Sequence, residues 1–250
     1  MQKTLIEWVR NPDGTQGYTS NLIKGLCKGG CFYCYARNMY KRFNMNPDIR
    51  FDECEIISHY NLKKPRGVFF GSTHDIFGYW IPDIWIRNHI AIAEDNLNNR
   101  YYFLTKNPER YYQFKFSNNC LLGITVTNFE DRWKAALLVA KKHSGVKFVS
   151  IEPLLSGDIS NWIYKVDWLI VGAMTKNGRI VKKYQPKREW LEEIVSETRQ
   201  LHVPLFMKNN LKSIWKSELI KEFPNDDWEK FGELSTKDYI SEIRGDINEQ

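Results

Sequence analysis

The amino-acid sequence predicts an α/β protein built on a mostly parallel sheet. Short apolar runs recur along the chain, with helical patterns between them. Several runs are apolar at every position, such as Val68-Phe69-Phe70 and Trp168-Leu169-Ile170-Val171, as in strands covered on both faces. Helix-start signals stand after several of these runs. Together they imply right-handed βαβ crossovers. A closed or partial β/α barrel and a doubly wound sheet both satisfy this pattern.

In chain order, strands are expected over residues 19–24, 67–71, 101–105, 121–126, 147–151, 167–172 and 203–207. A helix over 35–43 follows a cluster of cysteines. Pro82 can open the next as its first-turn proline, with Trp85, His89, Ile90 and Ala93 on one side. Asn128 is a good N-cap for a helix through His143, with Glu130 and Asp131 in its first turn. Pro186 opens another, with Trp190, Leu191, Ile194, Val195 and Leu201 as its apolar stripe. The helix signals after Leu104 and Leu155 are short. In such a topology functional residues gather just after the strands' C-terminal ends. These places are Cys27 to Cys34, Gly71 to Asp75, Thr105-Lys106, Thr125 to Asn128, Glu152-Pro153, Gly172 to Thr175 and Lys208-Asn209.

The 250 residues are 42% apolar and 26% charged, values of a folded domain. Mean hydropathy is −0.51, and no apolar run approaches the roughly 18 residues of a membrane span. Glu7 and Arg10 interrupt the first ten residues, which argues against a signal peptide and for a cytoplasmic protein. The formal charge is +6. From residue 209 on, six basic and ten acidic residues leave a net of −4, so residues 1–208 hold +10. The division expected is a core over 1–208 and an acidic helical extension over 209–250 that packs on the core or covers an edge. A basic body can attract an anionic partner such as nucleic acid, although a solvated charged surface is the commoner outcome. No internal repeat or low-complexity stretch is present.

Three of the five cysteines lie within eight residues, in Cys27-Lys-Gly-Gly-Cys31-Phe-Tyr-Cys34. Such a cluster suggests metal or redox chemistry rather than a disulfide framework. Three thiolates on one tight loop can hold three irons of a cubane cluster, which normally takes four protein thiolates. No fourth cysteine stands nearby, so one iron would stay open, as in catalytic metal sites. Gly29 and Gly30 let the loop turn sharply and bring N–H groups near the sulfurs. Other outcomes are structural zinc with Cys54, Cys120 or a histidine as fourth ligand, a closed electron-transfer cluster, or free core thiols. Cys54 and Cys120 are isolated and read as small packed residues.

This C-x3-C-x2-C loop, with the aromatic Tyr33 before its third cysteine, resembles the signature of the radical S-adenosylmethionine (SAM) superfamily. Further motifs are similar to those of a phage-associated family of radical-SAM-type proteins. They are Ile6-Glu7-Trp8, Asn11-Pro12, Cys34-Tyr35-Ala36, Leu104-Thr105-Lys106-Asn107-Pro108-Glu109-Arg110, Ser150-Ile151-Glu152-Pro153-Leu154-Leu155, Asp167 to Gly172, and Pro204-Leu205-Phe206-Met207-Lys208. The resemblance runs from Ile6 to Lys208. Two departures are a longer stretch between Asn11 and Cys27, and Gly71-Ser72-Thr73 in place of a Gly-Gly-Glu type motif.

The resemblance implies a partial (β/α)6 TIM-like barrel, open on one side, with residues 203–207 as an extra C-terminal strand. It implies a [4Fe-4S] cluster on Cys27, Cys31 and Cys34, SAM on the open iron, and an electron donor of flavodoxin or ferredoxin type. SAM would be cleaved reductively to a 5′-deoxyadenosyl radical that abstracts a substrate hydrogen. Tyr33 would face the adenine through its backbone. Gly71, Ser72 and Thr73 would bind the SAM amino group, Thr125, Thr127 and Asn128 its ribose or carboxylate, and Glu152 the ribose hydroxyls or a substrate cation. Asp75, Lys106 and Glu152 are the candidates for catalysis. Lys106 and Lys208 could meet anionic groups, and His74 suits a plain loop hydrogen bond. The substrate expected is anionic, with nucleic acid or a nucleotide-derived molecule leading. The competing function is a non-catalytic metal-binding protein, with zinc or a closed cluster, that binds nucleic acid.

Overall fold

The structure, a computed structural model, describes residues 1–157, 166–176, 179–180 and 182–224. Its strands are β1 (Gln2–Lys3), β2 (Tyr18–Ser20), β3 (Ile23–Lys24), β4 (Arg50–Phe51), β5 (Gly67–Phe70), β6 (Arg100–Thr105), β7 (Cys120–Val126), β8 (Lys147–Ile151), β9 (Trp168–Val171), β10 (Thr175–Lys176), β11 (Arg179–Ile180) and β12 (Leu205–Met207). Among the described residues, eight form one sheet in the order β1-β2-β5-β6-β7-β8-β9-β12. All its pairings are parallel except that of β1 with β2. The helices are α1 (Tyr35–Arg42), α2 (Ile57–Tyr60), α3 (Asp83–Glu94), α4 (Arg132–Ala140), α5 (Arg188–Gln200) and α6 (Lys212–Trp215). None among the described residues is long and apolar enough to cross a membrane.

Alternation along the strands sorts side chains to two faces. Val68, Phe70, Tyr101, Phe103, Leu122, Ile124, Val149, Ile151, Leu169 and Val171 point one way. They pack with Ile86 and Ile90 of α3, Ala135 and Leu138 of α4, and Leu191 and Ile194 of α5. The other face carries Phe69, Tyr102, Leu121, Phe148, Trp168, Ile170 and Phe206, and among the described residues no helix contributes to it. Its filler is the segment before β2, through Trp8 and Val9.

The Trp8 ring lies 5.1 Å from Phe69 of β5, 5.7 Å from Tyr102 of β6, 5.7 Å from Phe148 of β8 and 6.2 Å from Trp168 of β9. In a flat sheet β5 and β9 would stand roughly 19 Å apart. One indole reaches both because the sheet curls around it. Gly123 makes room: a Cβ there would stand 2.2 Å from the Phe148 ring. This is a curved sheet with helices on its convex face, and the doubly wound alternative is excluded. Its strand order is open, with β1 and β12 at opposite ends. Glu7 links the N-terminal segment to the β12 end: its carboxylate accepts the Asn209 N–H at 3.1 Å and pairs with Lys221 at 2.7 Å.

Several boundaries differ from expectation. The strand over 19–24 breaks at Asn21, whose backbone N–H turns to Glu55 at 2.9 Å and whose side chain turns to Ser72. Pro82 precedes α3 with ψ 139° and is not its first helical residue. After Asn128 comes a 3-10 turn, Phe129–Asp131, and α4 then stops at Ala140, short of His143. The His143 ring bonds instead to the Cys120 carbonyl at 2.7 Å. The helix after Pro186 begins at Arg188, and Leu201 lies beyond its end, exposed. The signal after Leu104 is a 3-10 helix, Pro108–Gln113. The signal after Leu155 and residues 225–250 lie outside the described residues. Residues 219–223 run antiparallel beside β12, with Met207 N–H donating to Ile220 at 2.8 Å and Glu222 N–H to Leu205 at 2.9 Å.

Two tests follow. Trp8→Ala removes the common contact of four strands and should cost about 3–5 kcal/mol in urea unfolding; a loss below about 1 kcal/mol would contradict the central role given to this ring. Burial also pushes His59, His89 and His143 down to about 4 from an ordinary 6.5. Between these values the unfolded chain binds more protons, so stability is complete above pH 6.5 and falls as pH drops towards 4. The urea midpoint should decline from pH 6.5 to 5, and His59→Gln should make that decline shallower. A midpoint constant over this window would show that the histidines are not held neutral.

Candidate functional site

Inward-facing residues change character along each strand. Phe148, Ser150 and Glu152 follow one another, as do Tyr102, Leu104 and Lys106, Leu121, Gly123 and Thr125, and Phe206 and Lys208. Aromatic rings therefore floor the concave face, and polar groups rim it at the strands' C-terminal ends. Pairing places Thr125 beside Ser150, and Thr125 is buried.

The loop after β5 is built by its own hydrogen bonds. Gly71 has φ 72°, and a Cβ there would meet the His74 carbonyl at 2.6 Å, so only glycine suits this turn. The Asp75 carboxylate accepts from Thr105 Oγ1 at 2.7 Å, Lys106 N–H at 2.9 Å, Asn107 Nδ2 at 3.0 Å and Phe77 N–H at 3.1 Å. Four donors fill its lone-pair sites, so in this geometry it staples the β5 loop to the end of β6. Ser72 Oγ exchanges hydrogen bonds with the Asn21 amide at 3.1 and 3.2 Å, and the Thr73 N–H reaches Asn21 Oδ1 at 3.3 Å.

The cysteine loop docks on this same loop. Tyr35, directly after Cys34, donates its hydroxyl to the Ser72 carbonyl at 2.5 Å. His74 bonds through Nδ1 to the Gly25 carbonyl at 3.3 Å and through Nε2 to the Trp80 indole N–H at 3.0 Å. Because Trp80 can only donate, Nε2 accepts and Nδ1 carries the proton. This is the loop hydrogen bond expected of His74. Gly25 has φ 99° and lies against the Asp48 backbone.

Cys27, Cys31 and Cys34 are free and half-buried. Cys27 Sγ receives the Gly29 N–H at 3.4 Å and the Asp75 N–H. Burial raises its thiol above the ordinary range, and those two N–H groups oppose the rise. Lys106 Nζ stands 5.5 Å over the Tyr33 ring. Burial lowers the ammonium's pKa, while Cys31 and Asp75 pull it back up. Burial also raises the Tyr33 phenol, with Cys31 the next contributor.

Among the described residues, no three His, Cys, Asp or Glu side chains converge on a single metal ion. Cys54 is exposed, and Cys120 is buried at the start of β7, the far end of the sheet from the cysteine loop. The structure therefore overturns a closed zinc site completed by either of them. The donor set is three free thiols on one loop, two of its residues lacking side chains and two N–H groups aimed at one sulfur. It fits a group that takes one thiolate per corner and finds no fourth protein ligand.

Further along the rim, Glu152 and Lys208 form an ion pair. Glu152 follows β8 and Lys208 follows β12, with β9 between them. They meet because Gly172, level with both, has no side chain; a Cβ there would stand 3.0 Å from Lys208 Cδ and 3.3 Å from Glu152 Cδ. Asn128 faces the polypeptide: its side chain accepts the Asp131 N–H at 3.3 Å. Thr127 donates to Asp131 at 2.9 Å, and Asp131 pairs with Lys134 at 2.6 Å. The structure thus brings together the cysteine loop, Gly71 to Asp75 and Lys106, and pairs Glu152 with Lys208. Sequence reasoning missed Asn21 and Tyr35. Asn21 stands directly after a strand, where the strand-end rule could have found it, whereas the role of Tyr35 depends on a tertiary contact.

A family described as "Protein of unknown function (DUF5131)" matches residues 3–227. No curated protein matches the sequence. Among solved structures, a mutant spore photoproduct lyase is similar at a TM-score of 0.48 and 11% identity, over 74% of this chain and 74% of that one.

The Glu152–Lys208 pair yields a double-mutant test. Glu152→Gln leaves a half-buried ammonium without its partner, and Lys208→Met does the converse. Each should destabilise by about 1–3 kcal/mol, and the double variant should be more stable than their sum predicts, by about 1 kcal/mol or more. Strict additivity in urea unfolding would show that the pair is not coupled.

Proposed function

The chain belongs to the DUF5131 family, and from the chemistry of its own site we propose that it is a radical SAM enzyme. The observation that carries this reading is the trio of free, half-buried thiols on one short loop docked at the polar rim of a curved parallel sheet. Cys27, Cys31 and Cys34 would hold a [4Fe-4S] cluster. The chemistry such a cluster would supply is one-electron reduction of SAM to methionine and a 5′-deoxyadenosyl radical, with the electron from a flavodoxin- or ferredoxin-type donor.

The chain's own groups would bind, orient and exclude water. Backbone carbonyls of Gly71, Ser72 and Thr73 are acceptors suited to a cationic amino group, held in place by Asn21 and Tyr35. Asp75 would act by holding that loop, since its four hydrogen bonds occupy it. Lys106, poised over Tyr33, would meet a carboxylate, and Thr125 would lie beside it. Glu152, tied to Lys208, would accept ribose hydroxyls from across the rim. The Tyr33 backbone would face the adenine. Asn128 already caps its own turn and would contribute through its backbone. The aromatic floor around Trp8 keeps water from below the reacting groups, which protects a radical from side reactions. The competing reading is a closed metal site in a non-catalytic nucleic-acid-binding protein; Cys54 is exposed and Cys120 lies at the far end of the sheet, so neither cysteine favours it.

Anaerobic reconstitution with iron and sulfide should load about four irons per chain. Incubation with SAM and dithionite should release 5′-deoxyadenosine. Cys27→Ala, Cys31→Ala and Cys34→Ala should each abolish both loading and product. A fully loaded cluster that yields no 5′-deoxyadenosine would refute the proposal.

A further inference from the structure

Between Asp13 and Asp48 the chain carries five cations and no acidic residue over 34 positions. This stretch contains the cysteine loop and α1, and its surface is aromatic as well as basic. Phe32 is 63% exposed, Tyr35 49% and Phe43 61%. Tyr35, Met39 and Phe43 succeed one another at four-residue spacing, so they share one side of the helix. The inward side is already satisfied: Ala36 is buried, and the Tyr40 hydroxyl accepts the Gly25 N–H at 2.8 Å. Tyr35 is tied to the body through the Ser72 carbonyl, so the rings that the patch presents most fully are Phe32 and Phe43.

Cations accompany these rings. The Arg42 guanidinium lies 5.2 Å over the Phe43 ring. At the other end of the patch Phe32 meets Tyr184 at 5.3 Å, and Lys183 Nζ lies 5.3 Å over that tyrosine. Ring faces for bases and cations for phosphates are the two components of a surface for unpaired nucleotides. Lys24 is paired with Glu55 and Asp52, but the exposed Lys28, Arg37, Lys41 and Arg42 give the patch charge of one sign, which suits a partner that is anionic along its length. The ten residues from Cys34 to Phe43 span nine helical rises, about 14 Å, room for roughly four stacked bases at 3.4 Å each.

We propose that the cysteine loop and α1 form a platform for single-stranded nucleic acid, which carries a nucleotide to the rim where Lys106 and Glu152 stand. The proposal rests on the radical-enzyme reading only in calling the strand a substrate; strand binding itself is measured without SAM or reductant.

The test is fluorescence anisotropy of the full chain, before and after iron–sulfur reconstitution, with a labelled 15-nucleotide single strand of DNA and the same sequence in RNA. At least one should bind, more tightly than its duplex, with affinity falling as salt rises. Phe43→Ala should weaken binding at least fivefold, and Phe43→Trp should restore it. Arg42→Gln should weaken binding and reduce the salt slope by about 0.7. Both positions are exposed, and an unchanged melting temperature checks folding. Absence of binding at low salt, equal binding of duplex, or indifference to both substitutions overturns the proposal. So does a patch that serves a protein: reduced flavodoxin would then drive SAM cleavage in the parent but not in Arg42→Gln, with dithionite working in both and strand binding unaltered. If dithionite drives no cleavage in either while the strand still binds through Phe43, the enzymatic reading fails and the platform stands.

Discussion

The constraint on which the architecture depends is the contact of one indole with four strands. A parallel sheet has no intrinsic need to curl tightly. Here Trp8 gathers Phe69, Tyr102, Phe148 and Trp168 around itself, and burying these large rings together rewards curvature. Curvature in turn brings the strands' C-terminal ends towards one another. Residues as distant in sequence as Lys106, Glu152 and Lys208 thereby come to one rim. Among the described residues, the N–H of the Trp8 indole has no oxygen or nitrogen partner. Its surroundings are aromatic, and ring faces are the acceptors within reach.

Two glycines set the depth of the concave face. Gly123 gives space to the Phe148 ring, and Gly172 lets Glu152 and Lys208 meet across an intervening strand. The same principle operates at the loops, where Gly71 and Gly25 adopt positive φ and allow the β5 loop and the cysteine loop to approach. Asn21, Tyr35 and His74 then lock the two loops together through hydrogen bonds rather than apolar packing. A polar lock of this kind fixes the cysteine loop without filling the space around its sulfurs.

The strands of the main sheet were legible because buried parallel strands are apolar at every position. Runs such as Trp168-Leu169-Ile170-Val171 leave little ambiguity. The short edge strand β1 was not, since Gln2 and Lys3 are exposed and carry no apolar signal. The break at Asn21 was hidden because its cause, the Glu55 carboxylate, is 34 residues away. The cysteine loop was legible as a local spacing. The ion pair of Glu152 with Lys208 was not, because it depends on the register of β8, β9 and β12 around a glycine. Asp75 shows the converse limit: an acid after a strand reads as available for chemistry, yet its four donors come from backbone and side chains that only the fold assembles.

The segment that passes beside β12 has a consequence for life in a crowded solution. An open sheet exposes ladders of unpaired amides at its margins, and such ladders recruit strands from other molecules. On one margin residues 219–223 occupy the ladder of β12. On the other, β1 is two residues long and bears Lys3. Neither margin, among the described residues, offers a length of flat backbone on which a neighbour could start fibrous assembly. The curved sheet is thus guarded against self-association along its sides.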